Sequence, residues 1–123
     1  QALGQLTGEH LEQLPVVAHG QEDYLQLAHE NHWLFQGIKA PIQEGRYHSW
    51  AFKQMHPLQW QVLAHTSDGA CMAAVHQSKP WTVLQFHPES VMTPGGFQML
   101  QNWLCHFCQE AHDARLKQWS YLS

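Results

Sequence analysis

The chain has 123 residues, which is enough for one hydrophobic core and too few for two. Hydrophobic residues make up 44% of it and charged residues 13%, a composition typical of a folded domain and not of a disordered segment. The net charge of −4, with only six Lys and Arg, provides no basic face and argues against a nucleic-acid partner. No apolar run approaches the ~18 residues of a membrane-spanning helix, so we expect no membrane partner either.

The N-terminal residues QALGQLT have the composition of a short helix, and Gly8 follows where a glycine commonly ends one. Because these residues read like the middle of an element, we expect the chain to start inside a larger fold. Its three cysteines cannot all pair with one another. The sequence therefore predicts a reducing, cytoplasmic compartment.

Residues 60–86 contain three β-rich runs, separated by a turn at Asp68-Gly69 and by a polar turn at 78–80. This spacing predicts a meander of adjacent strands. The last run, residues 82–86, is apolar and bounded by turn signals, which favours a central strand. After Gly95-Gly96, apolar residues recur with helical spacing and predict an amphipathic helix, followed by a loosely held tail from residue 115. Those residues are Phe97, Leu100, Leu104, Phe107, Cys108 and Ala111.

The stretch LQFHPESVMTP, residues 84–94, places a His, a Pro and a Glu directly after the predicted strand. Pro88 keeps His87 out of helical geometry, and residues two apart in an extended segment point to the same side. A carboxylate held beside an imidazole fixes its tautomer and stabilises the imidazolium, as in the base and orienter of a nucleophile triad. The alternative is a solvated His87 and Glu89 on a loop, and the short motif by itself leaves both open.

A metal site is the other chemistry that the composition suggests, since the chain has eleven His. Cys105-x-x-Cys108 with the neighbouring His106 and His112 offers nitrogen and sulfur ligands, as does His29-x-x-His32. A structural zinc site normally places its Cys pair on a knuckle, whereas this pair lies within a helical pattern that favours Cys108 as a core residue. We therefore expect no metal. The c-type haem motif also fails, because Gln109 and not His follows Cys108.

Several motifs together resemble a known family. QALG at the start, His19-Gly20, GRYHSW at 45–50, FHPES at 86–90 and the closing helix occur in an order and spacing similar to the C-terminal half of class I glutamine amidotransferases. Within that family, this chain most resembles the glutaminase subunits of anthranilate synthase and aminodeoxychorismate synthase. The resemblance implies an α/β fold for this chain, which would be strand-rich and end in an amphipathic helix. It also implies that residues 1–123 are the C-terminal part of a flavodoxin-like glutamine amidotransferase domain.

The resemblance also implies site residues. His87 and Glu89 match the catalytic pair, Ser49 and Trp50 match the pair whose backbone groups hold the substrate glutamine, and Gln1 matches a side chain that touches the same substrate. Glutamine is the implied ligand, a chorismate-binding synthase subunit the implied partner, and no cofactor is implied. Trp50 stands where the family usually has Leu, and Gln21 where it usually has Lys.

The family's nucleophile is a Cys four residues before the position of Gln1, so we expect this chain to be inactive by itself. Neither the three cysteines nor Ser90 lies in a motif typical of a nucleophile. A non-catalytic binding or regulatory module that kept the fold stays an alternative, as does a metal-binding module. We also expect self-association, because a truncated parallel sheet would expose an apolar edge.

Overall fold

The computed structural model describes residues 1–14, 21–46 and 49–122, which form a strand-rich α/β architecture. The described strands are β1 Glu12–Gln13, β2 Gln21–Leu27, β3 Ile42–Arg46, β4 Trp50–Ala51, β5 Trp60–His65, β6 Cys71–His76 and β7 Thr82–Leu84. The described helices are α1 Ala2–Leu6, a 3-10 helix Trp33–Phe35 and α2 Gly96–Leu122. Four residues of the sequence motifs, His19, Gly20, Tyr47 and His48, lie outside the described residues.

The described strands form a five-stranded sheet in the order β3-β2-β5-β6-β7, and β1 pairs with β4 in a separate two-stranded sheet. The meander predicted for residues 60–86 is confirmed, because β6 pairs antiparallel with β5 on one side and β7 on the other. Gly69 adopts a φ of +84°, which a glycine tolerates without strain, at the turn between β5 and β6. Thr66 closes that turn by accepting a hydrogen bond from the backbone N–H of Ala70 at 3.1 Å.

The prediction of a central strand at residues 82–86 was wrong. The strand is only Thr82–Leu84, and it lies at the edge of the described sheet with β6 as its neighbour there. Its three side chains are half-buried. The expected parallel sheet is also not what the described strands form, since every described pair is antiparallel. An apolar run does not reveal how many neighbours its strand has, because pairing depends on residues far away in the chain.

The short helix α1 packs through Leu3 against a cluster of buried residues that includes a tryptophan of β5. Trp60 is 2% exposed, and its Nε1–H donates a hydrogen bond to Oγ1 of Thr7 at 3.0 Å. Gly8 has a φ of +83°, which confirms the predicted glycine at the C-terminal end of α1. This contact holds the first residues of the chain, including Gln1, against the end of the sheet.

Helix α2 packs on the 3-10 helix through the face that carries Met99 and Trp103. The side-chain amide of Asn102 donates to the backbone oxygens of Leu34 at 2.9 Å and Gln36 at 2.8 Å. The helix continues past residue 115, where the sequence predicted a loosely held tail, as far as Leu122. Among the described residues, no helix is long and apolar enough to cross a lipid bilayer.

The opposite face of α2 is also apolar, and it is exposed. Phe97 is 71% exposed and Leu104 is 55% exposed, and Leu100 lies beside them. Cys108 is exposed as well, so its predicted place in the core was wrong. Helical spacing identifies an apolar face, but α2 has two of them, and only the packing shows which one is buried.

Candidate functional site

The site residues at 87–89 follow the point where the chain leaves β7. The backbone N–H of Gln85 donates to the oxygen of Met72 at 2.9 Å, which continues the pairing with β6. Phe86 is 3% exposed and anchors the next residue in the core. These two contacts hold the start of the following loop in place and leave the side chain of His87 outside the core.

His87 and Glu89 are in direct contact, with Nδ1 of the ring 2.8 Å from Oε1 of the carboxylate. Their side chains are 57% and 69% exposed. The backbone N–H of Glu89 itself, and then the hydrogen bond from the His87 ring, lower the pKa of the Glu89 carboxyl. A charged carboxylate only accepts hydrogen bonds, so Nδ1 carries the proton, and in the neutral ring Nε2 is the atom that can take another.

Gln1 and Trp50 meet next to this loop. The side-chain amide of Gln1 donates to the backbone oxygen of Trp50 at 2.9 Å and lies 3.5 Å from Oε1 of Gln85. Gln85 precedes His87 by two residues, so α1, the 49–51 segment and the exit of β7 come together here. The sequence interpretation missed Gln85 as part of this group. Its position in the stretch LQFHPES was the available signal, because alternate residues of a strand share a face.

Ser49 and Trp50 are positioned by the two-stranded sheet. Gln13 pairs with Trp50, and the backbone N–H of Leu14 donates to the oxygen of Ser49 at 2.8 Å. The Trp50 side chain is 44% exposed, while Ser49 is half-buried. The placement of Ser49 and His87 around one common pocket stays a prediction.

The three cysteines differ in their surroundings. Cys71 is buried in β6 with its sulfur 3.4 Å from the sulfur of Met55, and burial raises the pKa of its thiol to about 12. A thiol with that pKa stays protonated near neutral pH and is a poor nucleophile. Cys105 and Cys108 are both exposed on α2.

A nucleophilic Ser90 and a metal site are the other possibilities that the sequence raised. Ser90 is a turn residue, since its hydroxyl oxygen accepts from the backbone N–H of Met92 at 3.1 Å. Among the described residues, no three His, Cys, Asp or Glu side chains are grouped so that they could hold a metal ion.

Gly96 holds the loop that carries the His87–Glu89 pair against the start of α2. It is buried, and a Cβ built on it would lie 1.8 Å from the backbone oxygen of Pro88. Its own N–H donates to the oxygen of Thr93 at 3.0 Å, and buried Thr93 in turn accepts from the N–H of Gly45 at 3.2 Å. The approach of the two backbones therefore requires a residue without a side chain at position 96.

We predict that Gly96→Ala displaces Pro88 and separates His87 from Glu89, with a loss of about 1–3 kcal/mol in the free energy of unfolding, as expected for overpacking. Gly95→Ala is the matched control, because the atoms closest to its Cβ belong to the side chain of Ile38, with Cγ2 at 2.9 Å, and not to the backbone. Urea unfolding measures the first effect, and the NMR shifts of the His87 ring measure the second. Equal effects of the two variants on both measurements would contradict this prediction.

Comparisons with known proteins give consistent results. The family model described as glutamine amidotransferase class-I matches residues 1–107. The chain is 36% identical over 113 residues to anthranilate synthase component 2 of Mycobacterium tuberculosis, covering 89% of this chain and 48% of the relative. It is 34% identical over 105 residues to the aminodeoxychorismate/anthranilate synthase component 2 of Bacillus subtilis, covering 85% and 53%. An aminodeoxychorismate synthase of Streptomyces pristinaespiralis is 37% identical over 103 residues, covering 84% of this chain and 14% of that protein.

The chain thus spans about half the length of the component 2 relatives. A crystal structure from Thermoplasma acidophilum, described as one subunit of a GMP synthase, superimposes with a TM-score of 0.79. The match covers 92% of this chain and 55% of that one, at 17% sequence identity. At that identity the likeness establishes the fold alone.

Proposed function

Since this chain belongs to the class I glutamine amidotransferase family, we propose that it is the C-terminal, His–Glu-bearing part of a glutaminase that supplies ammonia to a chorismate-binding synthase subunit. The observation that carries the proposal is the 2.8 Å contact between His87 and Glu89, within the FHPES motif. The names of the relatives, anthranilate synthase component 2 and aminodeoxychorismate synthase, support the choice of partner.

In the proposed reaction, a cysteine thiol attacks the carboxamide carbon of glutamine, and Nε2 of His87 takes the thiol proton. His87 then gives that proton to the departing nitrogen, which leaves as ammonia, and a thioester remains. In the second half, His87 takes a proton from water as the water attacks the thioester, and returns it to the sulfur. Glutamate is released and the thiol is restored. Glu89 keeps the ring in the required tautomer and stabilises the imidazolium.

The substrate is held, in this proposal, by groups around Gln1. The Nε2 atom of Gln1 already donates to the backbone oxygen of Trp50, which leaves its Oε1 as an acceptor for the substrate. Backbone groups of Ser49 and Trp50 bind the same glutamine. Positioning of this kind places the carboxamide about 3 Å from the nucleophile and lowers the entropic cost of the reaction.

The nucleophile of the proposal is a Cys on a segment N-terminal to Gln1 in the complete protein. Within the described residues, Cys71 has a protonated, buried thiol, and Cys105 and Cys108 lie on α2. The component 2 relatives are about twice as long as the matched region, which supports a further segment. The 123-residue chain by itself is therefore expected to release no ammonia from glutamine.

The test compares this chain with a chimera in which the part of the Mycobacterium tuberculosis relative that precedes the match is joined ahead of Gln1. We expect glutamate and ammonia from the chimera and none from the chain alone. A chimera whose upstream Cys is replaced by Ser is the control, and it should be inactive. Ammonia from the chain alone that disappears in His87→Ala would overturn the need for the upstream Cys. A folded chimera that neither hydrolyses nor binds L-glutamine would favour a non-catalytic module.

A further inference from the structure

A second concave region lies apart from the residues assigned above. It is a cleft of about 520 Å³ between the 3-10 helix, the end of β6, the turn at 77–81 and the middle of α2. Its lining includes two indoles, three imidazoles and one ammonium group: Trp33, Trp81, His32, His76, His106 and Lys79. Neither the His87–Glu89 pair nor Gln1, Ser49 or Trp50 contributes to it. Its volume falls within the range of small-molecule sites, about 300–1,000 Å³.

The aromatic side chains of the cleft are held by one another. On the α2 side, the Trp33 ring stacks on His106 with centroids 4.1 Å apart and planes 12° apart. On the sheet side, His76 meets the Trp81 ring edge-on at 5.3 Å, and Lys79 lies 4.2 Å above that ring. All of these rings are only half-buried. The cleft therefore presents flat apolar surface. Because its aromatic side chains are already ordered in the folded protein, a ligand does not have to offset the loss of their conformational entropy.

Two of the imidazoles have a defined tautomer. Nδ1 of His76 lies 3.2 Å from the backbone nitrogens of Ser78 and Lys79, and Nδ1 of His32 lies 3.3 Å from that of Leu34. A backbone N–H can only donate, so both Nδ1 atoms are acceptors and both rings carry their hydrogen on Nε2. Burial, and after it the neighbouring His29 and His106, lowers the pKa of His32 and keeps it neutral.

The polar groups of the cleft are consequently weighted toward donors. His32 and His76 each offer an Nε2–H, and Lys79 offers an ammonium group. The one carboxylate in the lining, Glu110, lies 3.4 Å from Nε2 of His106, on the α2 side of the cleft and within the same helix. A ligand that complements this lining needs acceptor atoms, a negative charge and a flat apolar surface.

We propose that the cleft binds a small aromatic carboxylate, with its ring against the indoles of Trp33 and Trp81 and its carboxylate on Lys79 and the Nε2–H groups of His32 and His76. A cation is disfavoured, because it would be repelled by the ammonium group of Lys79, which lies 4.2 Å from the centroid of the Trp81 ring. An aliphatic acid would satisfy the donors but not the rings. This site is independent of glutamine chemistry at His87.

The experiment is an NMR titration of the 123-residue chain with 2-naphthoate, followed by the indole N–H signals of its tryptophans. We expect saturable shifts at Trp33 and Trp81 and none at Trp50. Two matched probes separate the contributions: 2-naphthalenemethanol keeps the rings without the charge, and cyclohexanecarboxylate keeps the charge without the aromatic ring. Each should bind about tenfold more weakly, the loss expected for one charge-assisted hydrogen bond or one aromatic contact.

Substitutions in the cleft test the same contacts from the side of the protein. Lys79→Gln and Trp81→Phe are both expected to weaken 2-naphthoate binding, the first by about tenfold and the second by less. Tyr24→Leu removes an aromatic side chain that is 54% exposed outside the cleft, and should change nothing. The proposal is overturned if 2-naphthoate causes no saturable shift, if the alcohol binds as tightly as the acid, or if the shifts appear at Trp50. None of these outcomes bears on the amidotransferase activity of the chimera.

Discussion

Replacing His87 by Ala in the chimera is expected to lower the rate of glutamine hydrolysis by at least about 100-fold. A positioned general acid–base group typically contributes 10²–10⁴-fold, and His87 serves as base and acid in both halves of the proposed reaction. The Glu89 carboxylate lies 2.8 Å from Nδ1, so the ring is already held in the tautomer that leaves Nε2 to accept the proton. Ammonia release under saturating glutamine measures the loss.

Two further variants separate the role of the Glu89 charge from that of His87 and control for the loss of a histidine. Glu89→Gln keeps an oxygen that can accept from Nδ1–H but removes the charge that stabilises the imidazolium, so its loss should be smaller than that of His87→Ala. His112→Ala removes an exposed histidine of α2 and should leave the rate unchanged. If His87→Ala and His112→Ala had the same rate as the unmodified chimera, His87 would not be the base.

The largest expected effect on stability is that of Trp60→Ala, a loss of about 3–5 kcal/mol in the free energy of unfolding. Trp60 is 2% exposed and packs in a cluster with Phe52 and Ala74, so its removal leaves a cavity that the sheet cannot fill. The variant also removes the hydrogen bond that Oγ1 of Thr7 accepts from the indole, which loosens α1 and with it Gln1. Urea unfolding followed by circular dichroism gives the free energy, and hydrogen exchange of the backbone N–H groups of Gln5 and Thr7 reports on α1.

Trp60→Phe is the informative companion, because it keeps an aromatic ring in the cluster while it removes the Nε1–H donor together with the five-membered ring that carries it. We expect it to cost about 1 kcal/mol from the lost hydrogen bond, plus a small packing loss. Leu58→Ala serves as the surface control, since Leu58 is 82% exposed and its truncation should change stability by less than about 0.5 kcal/mol. A Trp60→Ala cost similar to that of Leu58→Ala would show that α1 is not held through this residue.

Local chemistry accounts for much of what could be predicted. The turn glycines Gly8 and Gly69 lie where their freedom at positive φ is needed. The meander of β5, β6 and β7 follows from turn signals and β-rich runs. The contact between His87 and Glu89 follows from two residues and the proline between them. All of these features depend on interactions within a few residues of the chain, which is why a sequence reveals them.

The features that the sequence left open depend on contacts between distant residues. The apolar run at residues 82–84 is compatible with a central or an edge strand, and pairing with β6 placed it at the edge of the described sheet. Helix α2 carries two apolar faces, and packing on the 3-10 helix buried Met99 while leaving Phe97 and Leu104 exposed. The cleft between Trp33 and Trp81 likewise has no local signature, since its two indoles are 48 positions apart in the sequence.

For this protein, the sequence by itself determined the class of elements, their turns and the motifs that identify the family, because propensity, turn chemistry and motif spacing are local properties. Only the tertiary structure decided which strand lies at the edge of the described sheet, which helix face is buried, and that Gln1 meets Trp50 and Gln85 beside the exit of β7. Those arrangements minimise the free energy of the whole chain, in which burial and long-range hydrogen bonds outweigh local preference.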